Sequence, residues 1–192
     1  MVKIAAVLIA LASAGCSYLG TAETFDPADL DREDGWTAVK DVPVILQKAD
    51  EDCGAAALAM ALAYWRVPSS LEDVARECPP VPGEGIKAGA LRACARDKGL
   101  QSFVFHGTFA DFERELSRGR PVIVGLVKPY VNGGLTHFEV VVGIHPRKEV
   151  VVTLDPAHGW RQNGFAGFLT EWEPAGRLTL VLLKAPAAPS AH

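Results

Sequence analysis

Hydrophobic residues follow a helical pattern in the first half of this chain. Three stretches rich in strong helix formers lie there, at residues 53–65 (CGAAALAMALAYW), 69–78 (SSLEDVAREC) and 86–99 (IKAGALRACARDKG). Asp52, before the first stretch, is a favoured N-cap, and Ser70 stands at capping-box spacing from Asp73. Gly99 is favoured after the last turn of a helix. These signals predict three helices, preceded at 42–46 (VPVIL) by a short strand or extended segment.

Short runs rich in β-branched residues characterise the second half, as expected of strands. They lie at residues 101–105, 121–127, 137–145, 149–155 and 177–183. Helices are predicted between them at 108–119, from Thr108 to Gly119, and at 165–172. Only PRK separates the runs at 137–145 and 149–155, so these two runs are expected to form an antiparallel hairpin. Helices first and antiparallel strands afterwards predict an α+β fold, with N-terminal helices packed on an antiparallel β-sheet.

The first residues have the layout of an export signal. Lys3 precedes an apolar run at 4–11 that is too short for a transmembrane helix, and small residues follow. SAGC, ending at Cys16, resembles a bacterial lipoprotein box, in which the cysteine is lipidated and becomes the new N-terminus. Ser17 after that cysteine favours the outer membrane, so the expected location is the cell envelope, as a periplasmic outer-membrane lipoprotein. The alternative is an ordinary cleaved signal in which Cys16 is incidental.

Four regions follow from these patterns. They are a lipoprotein-type signal peptide at 1–16, a flexible tether at 17–41, one folded domain at 42–184 and a disordered tail at 185–192. The tether is predicted because residues 20–40 are polar, acidic and without a hydrophobic period. A length of 192 residues suits one domain with short extensions.

Charge and cysteine spacing exclude some classes of function. The formal net charge is -4 and the chain contains no run of Lys and Arg, so nucleic acid is not an expected partner. The cysteines form no CxxC pair, and no metal site is predicted.

Export changes how the cysteines are interpreted. Apart from Cys16 the chain has Cys53, Cys78 and Cys94, and an odd number in an oxidising compartment suggests one disulfide and one free thiol. Cys78 and Cys94 are close in sequence, and the loop between them can fold one helix end back toward the next. The pair Cys78–Cys94 is favoured, which leaves Cys53 free. Three free thiols are the alternative.

Cys53 stands at the start of a predicted helix, where packing does not require a thiol. Unpaired backbone N–H groups and the positive end of the helix macrodipole favour its thiolate form. Gly54 leaves the next position bare, so a substrate backbone can approach there. Taken alone, however, a free cysteine is more often a small buried hydrophobic residue.

The predicted hairpin offers a base and a group to orient it. His137 starts the first strand and Asp155 ends the second, so antiparallel pairing makes them neighbours. Asp155 can hold the imidazole in the useful tautomer, with the other ring nitrogen facing a thiol. Gln47, six residues before Cys53, has an NH₂ group that can hold an oxyanion together with the Cys53 N–H. His158 is close enough to Asp155 in sequence to confuse a mutational test.

The same residues carry a resemblance to a family. QKADEDCG at 47–54, with the Ala-rich stretch after it, resembles the first motif of the bacteriocin-processing, double-glycine cysteine peptidases, which have a papain-like fold. HFEVVVGI from His137 resembles their histidine motif, and LDP around Asp155 their acidic motif. The resemblance implies Cys53 as nucleophile, His137 as general base and acid, Asp155 as orienter and Gln47 as oxyanion donor. It implies no metal or organic cofactor.

The expected function is therefore a cysteine endopeptidase, and the resemblance implies cleavage of peptides or proteins after Gly-Gly or other small residues. Members of the family are often the N-terminal part of an export transporter, whereas this chain is expected to be a stand-alone exported relative. An export system and, through a lipid on Cys16, a membrane are further expected partners. Glu51 and Asp52 place negative charge near Cys53, which opposes the thiolate unless both carboxylates turn away or cap the helix.

Two other functions fit the same sequence. One is a non-catalytic module that binds a peptide or a partner on the same fold, although the chain keeps all four implied catalytic residues. The other is a different acyl-transfer enzyme, such as an amidase or transpeptidase, which analysis of the products would separate from a peptidase.

Overall fold

An antiparallel β-sheet with helices against it makes up the described part of the computed structural model, residues 21–129 and 135–184. The strands are β1 Glu23–Thr24, β2 Thr37–Ala38, β3 Leu100–His106, β4 Val122–Val127, β5 Thr136–His145, β6 Val150–Asp155, β7 Gly159–Gly164 and β8 Leu178–Lys184. The helices are α1 Asp29–Arg32, α2 Cys53–Tyr64, α3 Leu71–Glu77, α4 Ala88–Asp97, α5 Phe109–Ser117 and α6 Phe165–Trp172. The predicted α+β class is confirmed.

The order of the strands brings the two halves of the predicted hairpin to the middle of the sheet. The order is β1-β7-β6-β5-β4-β8-β3, and β2 pairs separately with β5. Strands β5 and β6 are antiparallel and are joined by a 3-10 turn at Pro146–Lys148, the predicted PRK connection. Val140 lies opposite Leu154 in this pair, so the start of β5 lies beside the end of β6. This register places His137 near Asp155.

Helix α2 is buried on all sides, which explains why it is apolar all round. Every residue from Cys53 to Leu62 is buried. A helix that is apolar all round is characteristic of a protein core. Helix α2 packs against β5, so the residue at its N-terminus lies close to the start of that strand.

Capping boxes mark where two of the other helices, α3 and α5, begin. The capping box predicted at Ser70 is present, and Thr108 caps α5 in the same way. Asp52 does precede α2, but its side chain makes no cap bond to the helix. Asp52 Oδ2 instead accepts a hydrogen bond from the Ala49 amide at 3.1 Å. The loop before Cys53 is thus held by a turn and not by a side-chain cap.

Residues 21–40, here called the N-terminal strap, correct the predicted tether. Within this strap β1 pairs with β7 and β2 pairs with β5. Phe25 and Val39 are 5% and 4% exposed, and the Phe25 ring centroid lies 5.6 Å from that of Trp36. The strap lacks a hydrophobic period because its few apolar residues are widely spaced. Those few residues are nevertheless enough to join it to the core.

Other predicted segments differ in smaller ways. Residues 42–46 are not a strand, and β7 was missed because GWRQNG contains no β-branched residue. The structure joins Cys78 to Cys94, and Cys53 is the free cysteine of the described residues.

The signal peptide with Cys16, the first part of the predicted tether and the tail at 185–192 lie outside the described residues. Among the helices that the structure does describe, none combines the length and the apolar character that a membrane span requires.

Candidate active site

Cys53 lies in a narrow crevice between α2, β5 and the loop before α4. The crevice has a volume of about 40 Å³, and the residues that line it are Asp50, Glu51, Cys53, Glu84, Gly85, Leu135, Thr136 and His137. Cys53 is 6% exposed, and its Sγ lies 4.0 Å from the Thr136 carbonyl oxygen. Cys53 is the first residue of α2, so its own N–H has no acceptor within the helix. Thiol and amide donor therefore sit together at the positive end of α2.

The hairpin brings His137 to Asp155, as the sequence predicted. His137 Nε2 donates a hydrogen bond to Asp155 Oδ1 at 2.7 Å, and both residues are buried. Asp155 also accepts from the Ala157 amide at 2.8 Å, and its Oδ2 lies 2.9 Å from His158 Nδ1. His158 is thus a second partner of the Asp155 carboxylate. The sequence signal for this contact was the short separation of the two residues across the Asp-Pro turn. With three hydrogen bonds, Asp155 is held in one orientation.

His137 lines the same crevice as Cys53. Because Nε2 is engaged by Asp155, Nδ1 is the ring nitrogen left to interact with the Cys53 thiol. Burial lowers the pKa of His137, but the hydrogen bonds to Asp155 and Cys53, with the charges of Asp155 and Glu139, raise this pKa to about 10. A protonated imidazole beside a thiol favours the thiolate, and thus an ion pair.

The pKa of Asp155 is shifted in the opposite direction to that of His137. Burial raises its pKa, but the hydrogen bond from His137, the positive charge of that ring and the hydrogen bonds from His158 and Ala157 together hold the pKa well below its usual range. Asp155 is therefore a carboxylate when it contacts the imidazole.

Glu51 and Asp52, the acidic residues directly before Cys53, accept hydrogen bonds from loop amides. Glu51 Oε1 accepts a hydrogen bond from the Gly83 amide at 2.6 Å, and Asp52 Oδ2 accepts from the Ala49 amide. Both carboxylates are thus directed to backbone donors of the surrounding loops. The opposition to a thiolate that their charge suggested is correspondingly weakened.

Gln47 is anchored beside the end of β6. Its backbone N–H donates to the Pro156 carbonyl oxygen at 2.9 Å, and its side-chain NH₂ donates to the Ala49 carbonyl oxygen at 3.1 Å. One of the two amide hydrogens is therefore engaged by the loop, and the other is available. The role of Gln47 as an oxyanion donor stays a prediction.

Gly54 requires a correction. A Cβ atom at this position would lie 3.3 Å from Ile86 Cβ and 3.3 Å from Phe138 Cδ2. Gly54 is buried and does not line the crevice. Its missing side chain therefore allows α2 to pack closely on β5, and the predicted contact with substrate is not supported.

A second buried charge cluster adjoins the histidine and was missed from the sequence. Glu139 Oε1 lies 3.9 Å from His137 Nε2 and 2.7 Å from Lys128 Nζ. His137, Glu139 and Asp155 together offer donor atoms within 4.8 Å of one another, the spacing of a metal site. Lys128 already provides the cation that Glu139 contacts, so we interpret the cluster as an ion-pair network. A charged residue inside the apolar strand HFEVVVGI was the signal that could have found it.

Known proteins share this fold and this order of elements. The family model described as the peptidase C39 family matches residues 41–185. A solved double-glycine motif protease from an AMS/PCAT transporter, in complex with a leader peptide, is 25% identical with a TM-score of 0.62, over 77% of this chain and 95% of that chain. No curated protein sequence matches the chain.

Two further solved structures have the same fold. The peptidase domain of Streptococcus ComA, a bi-functional ABC transporter in a quorum-sensing pathway, is 22% identical with a TM-score of 0.64, over 76% of this chain and 100% of that chain. A C39-like peptidase from Bacillus anthracis is 19% identical with a TM-score of 0.65, over 79% of this chain and 99% of that chain. The family match spans the elements that carry Cys53, His137 and Asp155, whereas the N-terminal strap precedes it.

Proposed function

The chain belongs to the peptidase C39 family and is a cysteine peptidase of the double-glycine type, and from this premise we propose that Cys53, His137 and Asp155 are its catalytic residues. The observation that carries the proposal is the arrangement of Cys53 and Asp155 on either side of His137. His137 lines the same crevice as Cys53 and contacts Asp155 through Nε2. This is the order of nucleophile, base and orienting group that thiol catalysis requires.

Each residue then has a defined role in the reaction. The Cys53 thiolate attacks the carbonyl carbon of the scissile peptide bond, and protonated His137 gives its proton to the leaving amine. The Cys53 N–H and the free amide hydrogen of Gln47 stabilise the negative oxygen that forms during the attack. His137 then takes a proton from water, the resulting hydroxide attacks the thioester carbonyl, and the acid product leaves as the Cys53 thiolate and protonated His137 are restored. Asp155 keeps the ring oriented throughout.

The shape of the crevice supports a preference for small residues. The crevice is small, with a volume of about 40 Å³, and its walls include Gly85 and Leu135. We therefore propose cleavage of peptide or protein substrates after Gly-Gly or other small residues. One of the similar structures is a double-glycine motif protease with a leader peptide bound, which is consistent with this choice.

The cellular setting is part of the proposal and rests on the N-terminal sequence. The apolar run at 4–11 and SAGC ending at Cys16 support export and lipid attachment at the cell envelope. An export system is a candidate partner, because one similar peptidase domain belongs to an ABC transporter.

Alkylation of the purified protein tests the proposed nucleophile without a known substrate. Iodoacetamide is applied at mildly acidic pH, and the modified cysteine is located by mass spectrometry. Rapid labelling of Cys53 that His137→Ala abolishes and His158→Ala retains is the expected result, because His158 contacts Asp155 but does not line the crevice with Cys53. Slow labelling that His137→Ala leaves unchanged would support a non-catalytic binding module instead.

Paired peptides then test the specificity. One peptide contains Gly-Gly before a central bond and the matched peptide contains Leu-Leu at the same place. Cleavage of the first alone, with Cys53→Ala as the inactive control, supports the proposed preference. Mass analysis of the products separates hydrolysis from transfer to an added amine and from release of ammonia, which would indicate a transpeptidase or an amidase.

A further inference from the structure

A cation buried between two carboxylates lies behind the histidine. Lys128 Nζ lies 2.7 Å from Glu139 Oε1 and 2.6 Å from Glu171 Oε2. All three side chains are at most 2% exposed. Burial of three charges is costly unless they are closely paired and hydrogen-bonded, so this cluster requires an explanation beyond packing.

The cluster is tied to the catalytic hairpin and to the N-terminal strap. Thr153 Oγ1, on β6, donates to Glu139 Oε2 at 2.6 Å. Glu171 Oε1 accepts from the Thr21 amide of the strap at 3.2 Å. Glu139 Oε2 is therefore held by the hydrogen bond from Thr153, and Oε1 is held by its ion pair with Lys128.

Glu139 also faces the ring of His137. Residues 137 and 139 lie on the same face of β5, because alternate side chains of a strand point to the same side. Glu139 Oε1 lies 3.9 Å from His137 Nε2, the nitrogen that donates to Asp155. Two carboxylates thus approach the Nε2–H of His137. Asp155 accepts its hydrogen bond, and Glu139 contributes a fixed negative charge.

We propose that Glu139 is a positioning residue for His137, which holds the protonated ring in place together with Asp155, and that Lys128 fixes Glu139 for this purpose. The proposal rests on the proposed function, since it requires His137 to be the catalytic histidine. It adds a charge network that links the ring to α6 and to the N-terminal strap, which precedes the region matched by the family model.

The charged groups around His137 determine whether replacing Glu139 favours or disfavours protonation of the ring. Asp155 faces it from β6, Glu139 from its own strand and Cys53 from α2, and Glu139 adds to the rise in the His137 pKa. The carboxylates that line the crevice with it are Asp50, Glu51 and Glu84. Replacing Glu139 by Gln removes a negative charge near the ring and leaves Lys128 less compensated. Both changes make the protonated ring less favourable.

Two alkylating reagents report on the proton of His137 directly. Iodoacetate carries a negative charge that protonated His137 attracts, whereas iodoacetamide is neutral. The rate with iodoacetate divided by the rate with iodoacetamide, both measured at Cys53, therefore falls as the His137 ring loses its proton. The pH at the midpoint of that fall marks the deprotonation of His137. The crevice carboxylates are the same in every variant, so they cancel in the comparison.

For Glu139→Gln we expect this midpoint to move to lower pH by about one pH unit, as for the loss of a charge within about 4 Å. Glu171→Gln is the matched control: it removes a buried carboxylate from the same lysine, and no contact joins Glu171 to His137 in the described residues. Its midpoint should move much less. A loss of stability without a specific role for Glu139 would not shift the midpoint.

The outcomes separate the two proposals. If wild-type Cys53 shows no fall in the ratio and His137→Ala behaves like wild type, the proposed function fails. If the wild type shows the fall but Glu139→Gln leaves the midpoint unchanged, or Glu171→Gln moves it equally, the role of Glu139 is overturned. Should Glu139→Gln not fold, the neutral triple variant Lys128→Met, Glu139→Gln and Glu171→Gln replaces it. The same downward shift is expected there, and an unchanged midpoint refutes the proposal.

Discussion

Replacing Lys128 by Met isolates the contribution of the buried cation to stability. Methionine is close to lysine in length, so it fills the same space while the positive charge is lost. Two carboxylates, those of Glu139 and Glu171, are then left facing each other in a site where their former partner was 2% exposed. Breaking a buried ion pair by removing one member costs about 3–5 kcal/mol, because the remaining charge is buried without compensation.

The magnitude can be converted into measurable quantities. For a protein of this size, about 4 kcal/mol corresponds to a fall in Tm of roughly 10 °C. In urea at pH 7 the midpoint concentration of unfolding should fall, while the slope of the free energy of unfolding against urea concentration stays the same.

Lys48→Met is the matched control for this prediction. Lys48 also pairs with a glutamate, Glu72, but its side chain is 68% exposed. Exposed ion pairs contribute little to stability, so this variant should differ little from wild type. If Lys128→Met costs no more than Lys48→Met, the reasoning that the buried network is a strongly coupled unit is refuted.

Three further predictions follow from the fold. The double variant Cys78→Ala, Cys94→Ala opens a loop that spans 16 residues, and should lower the free energy of unfolding by about 3 kcal/mol; an unchanged urea midpoint would contradict this. The His137 pKa is raised from 6.5 to about 10, so the stability that this residue contributes is complete below pH 6.5 and lost as the pH rises toward 10. Urea titrations across that range should show the decline, and His137→Gln should flatten it. Phe25→Ala should cost about 3 kcal/mol, as for a core residue. Phe103→Ala, at a side chain that is 50% exposed, should cost far less, and equal losses would show that the N-terminal strap is not part of the core.

Much of the catalytic hairpin could be predicted because its signals are local. The β-branched runs and the short PRK connection determine an antiparallel pair, and this pairing brings the start of β5 to the end of β6. His137 and Asp155 therefore become neighbours through short-range chain geometry. Similarly, the helix formers after Asp52 place Cys53 at the N-terminus of a helix, whatever that helix packs against.

The tertiary structure alone decided the rest. Lys128 follows β4, Glu139 lies on β5 and Glu171 on α6, and their charges meet because the sheet register and the docking of α6 bring them together. The sequence suggested that a substrate backbone could approach at Gly54, yet in the structure this glycine lies in the core, where α2 packs on β5. The strap is polar in composition, but Phe25 finds its partners only once the sheet exists. Patterns along a chain report the preferences of neighbouring residues, whereas burial and charge pairing depend on residues that folding brings together from far apart in sequence.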